Sequence, residues 1–236
     1  SREVDLNSPK EWVKEKTLEQ YGKYGALFNV DKFVDELSQT NGLAPQDIKN
    51  VILEILPTAK GELERQLIEI SSDDTKHREF ETCLSQYLKN SFPVAEVDHI
   101  GQLQRQDKSV SNHNFSDILF HSTSHKIIQI DAKTKRQAQG YSYPASEMSK
   151  SEFYAKHPTE LFLHDEDEQI FFLIVSSNFQ STAYGRADLS SRRTGVPFKL
   201  IRADELIDLV NSSNGDDELF LLNIDKFKPS SFFMPA

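Results

Sequence analysis

The sequence predicts an α/β protein, a mixed β-sheet flanked by helices with a small helical region ahead of it. Three observations carry that prediction. Apolar stripes at helical spacing run through residues 1 to about 60. Short runs rich in Val, Ile and Phe begin near residue 94. After residue 126 strand and helix patterns alternate, which implies right-handed crossovers and parallel pairing within the sheet.

Trp12, Val13, Leu18 and Tyr21 mark a first helix, and Val34 and Leu37 a second one after Asp31. Pro45 suits a helix start, and Ile48, Val51, Ile52, Ile55 and Leu56 form a clear stripe that Pro57 is expected to stop. Three short helices fit a helix-turn-helix unit. The modest charge of residues 1–60 favours a linker, cap or partner contact over a DNA reader. The second domain is expected over 61–236. Residues 62–90 read as two helices broken by Ser71-Ser72-Asp73-Asp74, a break that offers N-cap residues to the second. Val94, Val97 and Ile100 suggest a strand, followed by a Gln-rich loop to Val110. Helices are expected over 146–163, 181–193 and 203–210, and strands over 170–176 and 197–201. Asn214-Gly215 is a turn, and the apolar run 219–224 reads as an edge strand. No internal repeat or low-complexity segment is visible.

The chemistry concentrates in residues 114–133, NFSDILFHSTSHKIIQIDAK, which read as two strands joined by a polar turn. A turn centred near Ser124 sets Asp117 opposite Asp131. Alternation then projects Asp131 and Lys133 from one face. Two carboxylates converging at a strand end can hold Mg²⁺, an oxygen-seeking ion that keeps several waters. A lysine beside them can orient or deprotonate a water and offset phosphate charge, a set that suits phosphodiester hydrolysis. Asp-x-Lys also occurs by chance, where it marks a solvated strand end. The apolar Ile127, Ile128 and Ile130 place this one at the C-terminal end of a core strand, a favoured site position in α/β sheets.

At 236 residues the chain can hold one well-cored domain and a small appendage. Its mean hydropathy of −0.54 and the lack of any long apolar run indicate a soluble protein that does not span a membrane. No signal-peptide pattern is present, and the first residue is not Met, which reads as a fragment or a processed chain. The single cysteine, Cys83, suits a reducing cytoplasm and a buried packing role. The net charge of −10 argues against gripping DNA by bulk charge. Lys126, Lys133, Lys135 and Arg136 nonetheless gather at the proposed site, and Arg186, Arg192, Arg193, Lys199 and Arg202 form a later group. Phosphate contact and ordinary solvated faces fit that later group equally.

Several blocks in order resemble the FokI-like cleavage domains of type IIS restriction endonucleases, members of the PD-(D/E)xK nuclease class. They are Leu67-Ile68-Glu69-Ile70, then Arg78, Phe80 and Glu81, then Ser116-Asp117 and Asp131-Ala132-Lys133. Gly140-Tyr141, Pro144, Glu147-Met148, residues 172–176 with Phe179, and Asp204-Glu205-Leu206 follow. The resemblance covers roughly residues 61–210. It departs at Ser116, where the family has proline, and in a shorter turn between the two aspartates. Ser146 and Lys150 stand where the family carries an acid and an arginine for dimerisation.

The resemblance implies a restriction-endonuclease-like fold and a Mg²⁺-dependent endodeoxyribonuclease, with Mn²⁺ as a substitute. Asp117, Asp131 and the Ala132 carbonyl would bind metal, Lys133 would position the attacking water, and the product would carry a 5′-phosphate. An early helix often supplies a further acid in this class, and Glu81 is favoured over Glu79. Double-stranded DNA is the implied substrate, cut with a transient homodimer or a second cleavage subunit, and with recognition placed in another domain or subunit. A repair or recombination nuclease of the same fold, or an inactive scaffold or DNA-binding module, are the competing readings. His121 and His125 flank the turn but lack the helical spacing and partners of a zinc site. His113-Asn114 reads as a structural loop, and residues 164–168 as a solvated charge run.

Overall fold

The computed structural model describes residues 9–24, 30–100, 116–157 and 167–229. The chain forms two compact units, 1–65 and 66–236. In the first, α1 (Pro9–Tyr24), α2 (Val30–Asn41) and the start of α3 (Pro45–Ser71) enclose Val13, Phe33, Val34, Leu37, Ile48 and Ile52. Leu18, assigned to the apolar stripe of α1, is 40% exposed. The expected stop at Pro57 is absent, because α3 runs unbroken to Ser71. A proline inside a helix costs about 3 kcal/mol. Buried Ile48, Ile52 and Ile55 before it and Leu67 after it outweigh that cost.

The second unit is built on a five-stranded sheet of order β1-β2-β3-β4-β5. Its strands are β1 (Glu96–Asp98), β2 (Ile118–His121), β3 (Lys126–Lys133), β4 (Glu168–Ser176) and β5 (Phe198–Arg202). β1–β2 and β2–β3 are antiparallel, whereas β3–β4 and β4–β5 are parallel, so the sheet is mixed. The first strand is shorter than expected. Only Val97 of its three apolar residues pairs, Val94 being exposed and Ile100 lying beyond the strand.

Helices cover both faces. Phe172 and Ile174 of β4, with Phe198 and Leu200 of β5, pack beneath α5 (Ala145–Lys156) and α6 (Ser181–Thr194). α4 (His77–Ser91) packs on β1 and β3, and α7 (Ala203–Ser213) on β4 and β5. Phe92, Phe120 and Phe220 join there, their ring centroids 4.7–5.5 Å apart. The loop before α4 does not cap it as expected. Lys76 stands at the N-cap without a side-chain bond, and Asp73 instead closes a turn on Thr75.

Residues 219–224 are not an edge strand but lie within α8 (Asp217–Lys226). Asp216 caps the helix by accepting the Leu219 N–H, and Phe220, Leu221 and Ile224 are buried at helical spacing. α8 also clamps the β2–β3 turn. Asp217 accepts the Thr123 N–H at 2.6 Å, and Glu218 takes Lys126 Nζ at 3.2 Å together with the Ser124 hydroxyl. No helix among the described residues is long and apolar enough to cross a membrane.

Candidate active site

The β2–β3 register is the one the sequence predicts, with Ile118 opposite Ile130 and His121 opposite Ile127. One step beyond the last pair stand Asp117 and Asp131. β3 outruns β2 here, and residues 131–133 pair only with β4. The vacated β2 side of the backbone is taken by a side chain, Asp117 Oδ2 accepting the Ala132 N–H at 2.8 Å. In a strand the N–H and C=O of one residue lie on the same side, so the Ala132 carbonyl also faces Asp117.

Asp131 and Lys133 share a face with Gln129, whose amide donates to the Tyr154 carbonyl of α5. Lys133 Nζ lies 2.8 Å from Asp131 Oδ1 and 3.2 Å from Glu147 Oε2. Glu147 sits in the first turn of α5, and its other oxygen takes Lys150 Nζ at 2.9 Å. A chain of alternating charge thus runs Asp131, Lys133, Glu147, Lys150. The Tyr141 hydroxyl is buried beside it with no hydrogen-bond partner among the described residues.

Burial and the charge of Asp131 together hold the Asp117 carboxyl well above the usual carboxylate range. Glu81 adds to the effect, and Lys133 opposes it. Burial alone would favour loss of the Lys133 proton, but Asp131 and Asp117 outweigh it and keep the ammonium charged. Glu147 is pushed up by burial and pulled down further by the Lys150 hydrogen bond and by Lys133, so it stays ionised.

Glu81 comes from α4 and lies 3.7 Å from His99 Nε2. It reaches Asp117 as a like charge, and no group of three or more His, Cys, Asp or Glu side chains among the described residues is gathered to hold a metal. Two carboxylates and a backbone oxygen leave most of an ion's coordination to water, which suits Mg²⁺ better than zinc.

The basic groups divide differently from the sequence expectation. Lys126 pairs with Glu218 at the far end of β3, about 23 Å from Lys133 at strand rise. Lys135 and Arg136 both pair with Asp74. Arg186 donates to the Ser142 and Tyr143 carbonyls, Arg192 pairs with Asp188, and Arg193 with Glu152. Lys199 bonds the Asp225 carbonyl, and Arg202 holds Asp204. Each of these later cations is engaged within the chain, which favours structure over phosphate contact.

His121 meets Asp98 at 3.6 Å and Asp167 at 3.3 Å, and His125 meets Asp167 at 3.7 Å. Asp167, expected in a solvated run, has a side chain only 1% exposed. Residues 164–166, His113-Asn114 and the Gln-rich loop lie outside the described residues. Cys83 is buried as expected, and burial pushes its thiol up to about 11. Glu147 is the contact that sequence reasoning missed. Its signal was an acid in the first turn of the helix that follows the Asp-x-Lys strand.

The model of the FokI cleavage domain matches residues 42–226. The chain belongs to the FokI cleavage-domain family. The structure of restriction endonuclease FokI is 12% identical with a TM-score of 0.51, over 90% of this chain and 46% of that one. FokI bound to DNA is 13% identical with a TM-score of 0.53, over 93% of this chain and 48% of that one. Identity at that level shows a shared fold. This chain spans about half the length of those FokI chains. No curated protein matches it.

The FokI-family pattern of Gly-Tyr after the Asp-x-Lys strand has a physical reason here. Gly140 has φ +63°, and a Cβ would lie 3.0 Å from the Phe179 carbonyl carbon. Tyr141 bonds that same neighbouring stretch through the Asn178 carbonyl and the Gln180 N–H. The loop carrying Tyr141 toward the site is therefore fastened to the end of β4.

Proposed function

We propose that the chain is a Mg²⁺-dependent endodeoxyribonuclease, the cleavage domain or subunit of a type IIS-like restriction system. The observation that carries this reading is the Asp117–Asp131 pair beside Lys133 at the end of β3, inside the region matched by the family. A buried Asp117 carboxyl whose proton affinity is raised by burial and by the Asp131 charge favours a cation between the two. Asp117, Asp131 and the Ala132 carbonyl would hold Mg²⁺, with Mn²⁺ as a substitute.

The cation would supply Lewis-acid polarisation of the scissile phosphate and stabilisation of the leaving oxygen. Lys133, kept protonated by its acidic neighbours, acts as a donor that orients the attacking water and offsets developing phosphate charge. Glu81 tunes Asp117 electrostatically instead of completing the cage. Hydrolysis would leave a 5′-phosphate.

One such centre cuts one strand, so a double-strand break needs a second, from a transient homodimer or a different subunit. Ser146 is exposed and Lys150 is engaged with Glu147, so the family's dimer ion pair has no counterpart here. The net charge of −10 supports sequence recognition by another domain or subunit.

Plasmid cleavage with Mg²⁺, with EDTA, and over a range of protein concentrations tests the reading. Metal-dependent cutting whose rate rises more steeply than linearly supports a self-pairing nuclease. No cutting with Mg²⁺ or Mn²⁺, alone or with a recognition subunit, would favour the inactive scaffold. Efficient site-specific double-strand cutting that is first order in this chain would overturn the need for a second centre.

A further inference from the structure

Lys133 stands between two carboxylates on different supports. Asp131 rides on β3 and Glu147 on α5, and the ammonium is within 3.2 Å of both. The Asp131 carboxylate it holds is the one that a cation shared with Asp117 would contest. A divalent cation and an ammonium on one carboxylate repel each other strongly where water is scarce. Asp131 is 4% exposed, so solvent screens little of that repulsion. Glu147 is already positioned to receive the lysine. Lys150 fixes its outer oxygen at 2.9 Å and leaves the inner one on Lys133.

We infer that Glu147 is a positioning residue that serves as the second seat of Lys133. When a divalent cation binds at Asp117 and Asp131, the lysine releases Asp131 and stays on Glu147. Rotation about the terminal bonds of one side chain is sufficient, and the backbones of β3 and α5 need not move. The transfer has two effects. It removes a competitor from the metal site, and it holds the ammonium next to the cation at a reproducible distance. Without Glu147 the lysine has only the aspartates to neutralise it, and it contests the metal site more strongly.

This inference rests on the cation reading given above, and its test separates the two. Calorimetry of Mn²⁺ binding to the full chain is run on wild type, Glu147→Gln, Lys133→Gln and the double variant. Glu147→Gln is expected to weaken Mn²⁺ binding by at least about fivefold. Lys133→Gln is expected to tighten it. In the Lys133→Gln background, Glu147→Gln should change affinity by less than about twofold, because no lysine remains to be seated.

An equal loss in both backgrounds would show Glu147 acting as a ligand or a general charge, and would overturn the inference. No loss in either background would do the same. If Glu147→Gln does not fold, Glu147→Asp replaces it. The shorter acid keeps the charge but withdraws from Lys133, so it should weaken Mn²⁺ binding only while Lys133 is present. If wild type binds no better than Asp131→Asn, the cation reading falls and this inference falls with it.

Discussion

Replacing Asp117 by Asn should make the metal-free protein more stable while removing its response to Mg²⁺. The amide keeps an oxygen for the Ala132 N–H at 2.8 Å, and its NH₂ can donate to Asp131. What disappears is a carboxyl that burial and Asp131 hold well above its usual range. A group whose folded pKa is raised binds its proton more tightly when folded. Its contribution is therefore most favourable below the unfolded value and is lost as pH rises toward the folded one. At pH 7.5 the loss cannot exceed about 5 kcal/mol, the cost of protonating a carboxyl whose unfolded pKa is ~3.9. A gain of about 2 kcal/mol is expected for Asp117→Asn, or roughly 4–8 °C in Tm for a domain of this size. The gain should shrink as pH falls toward 4. Thermal melts at pH 4, 6 and 7.5, with and without Mg²⁺, measure it. A variant less stable than wild type at pH 7.5, or one that keeps the full Mg²⁺-induced rise in Tm, would refute the reasoning.

Asp131→Ala and Lys133→Ala should each lower plasmid cleavage by roughly a thousandfold or more with the circular dichroism spectrum retained, since each side chain faces the site. Arg186→Ala should cost about 1–3 kcal/mol in urea unfolding, because it strips two hydrogen bonds from the Ser142 and Tyr143 carbonyls, and should leave DNA affinity unchanged. Burial disfavours the charged form of His121, but Asp98 and Asp167, with Glu96 nearby, outweigh it and raise its pKa above 6.5. Its stabilisation is present below about pH 6.5 and fades as pH rises through the higher folded value, so melts from pH 6 to 8.5 should slope in wild type and flatten in His121→Gln.

Much of the site was legible because strand geometry is periodic. Alternation and a turn centred on Ser124 fix which residues oppose each other, and Asp117, Asp131 and Lys133 follow from that. The helix α8 was misread because six successive mostly apolar residues hide a period of 3.6, and the cap at Asp216 was the overlooked sign. The sequence resemblance places Glu81 on an early helix but does not say how near it stands to Asp117, which the structure shows only as a like charge acting on that carboxyl. In the sequence Glu147 reads only as part of the Glu-Met block, because its partner Lys133 lies on another element, 14 positions earlier. The basic groups misled for the same reason. Arg192–Asp188 and Arg202–Asp204 are local pairs, but the partners of Lys126, Lys135, Arg186, Arg193 and Lys199 become visible only in three dimensions.

The clamp of α8 on the β2–β3 turn gives the order of synthesis a consequence for activity. Thr123 and Ser124 find their partners 94 residues downstream, in Asp217 and Glu218. A nascent chain that has reached Thr194 already contains Asp117, Asp131, Lys133 and Glu147, but the β2–β3 turn still lacks its clamp from α8. A slip of one residue would turn Asp131 to the other face. A chain ending at Gly215 should therefore cleave DNA poorly despite an intact set of site residues, and full cleavage by that truncation would contradict this. On this expectation, the register of the site waits on a helix that is far from Asp117 and Asp131 and is made late in the chain.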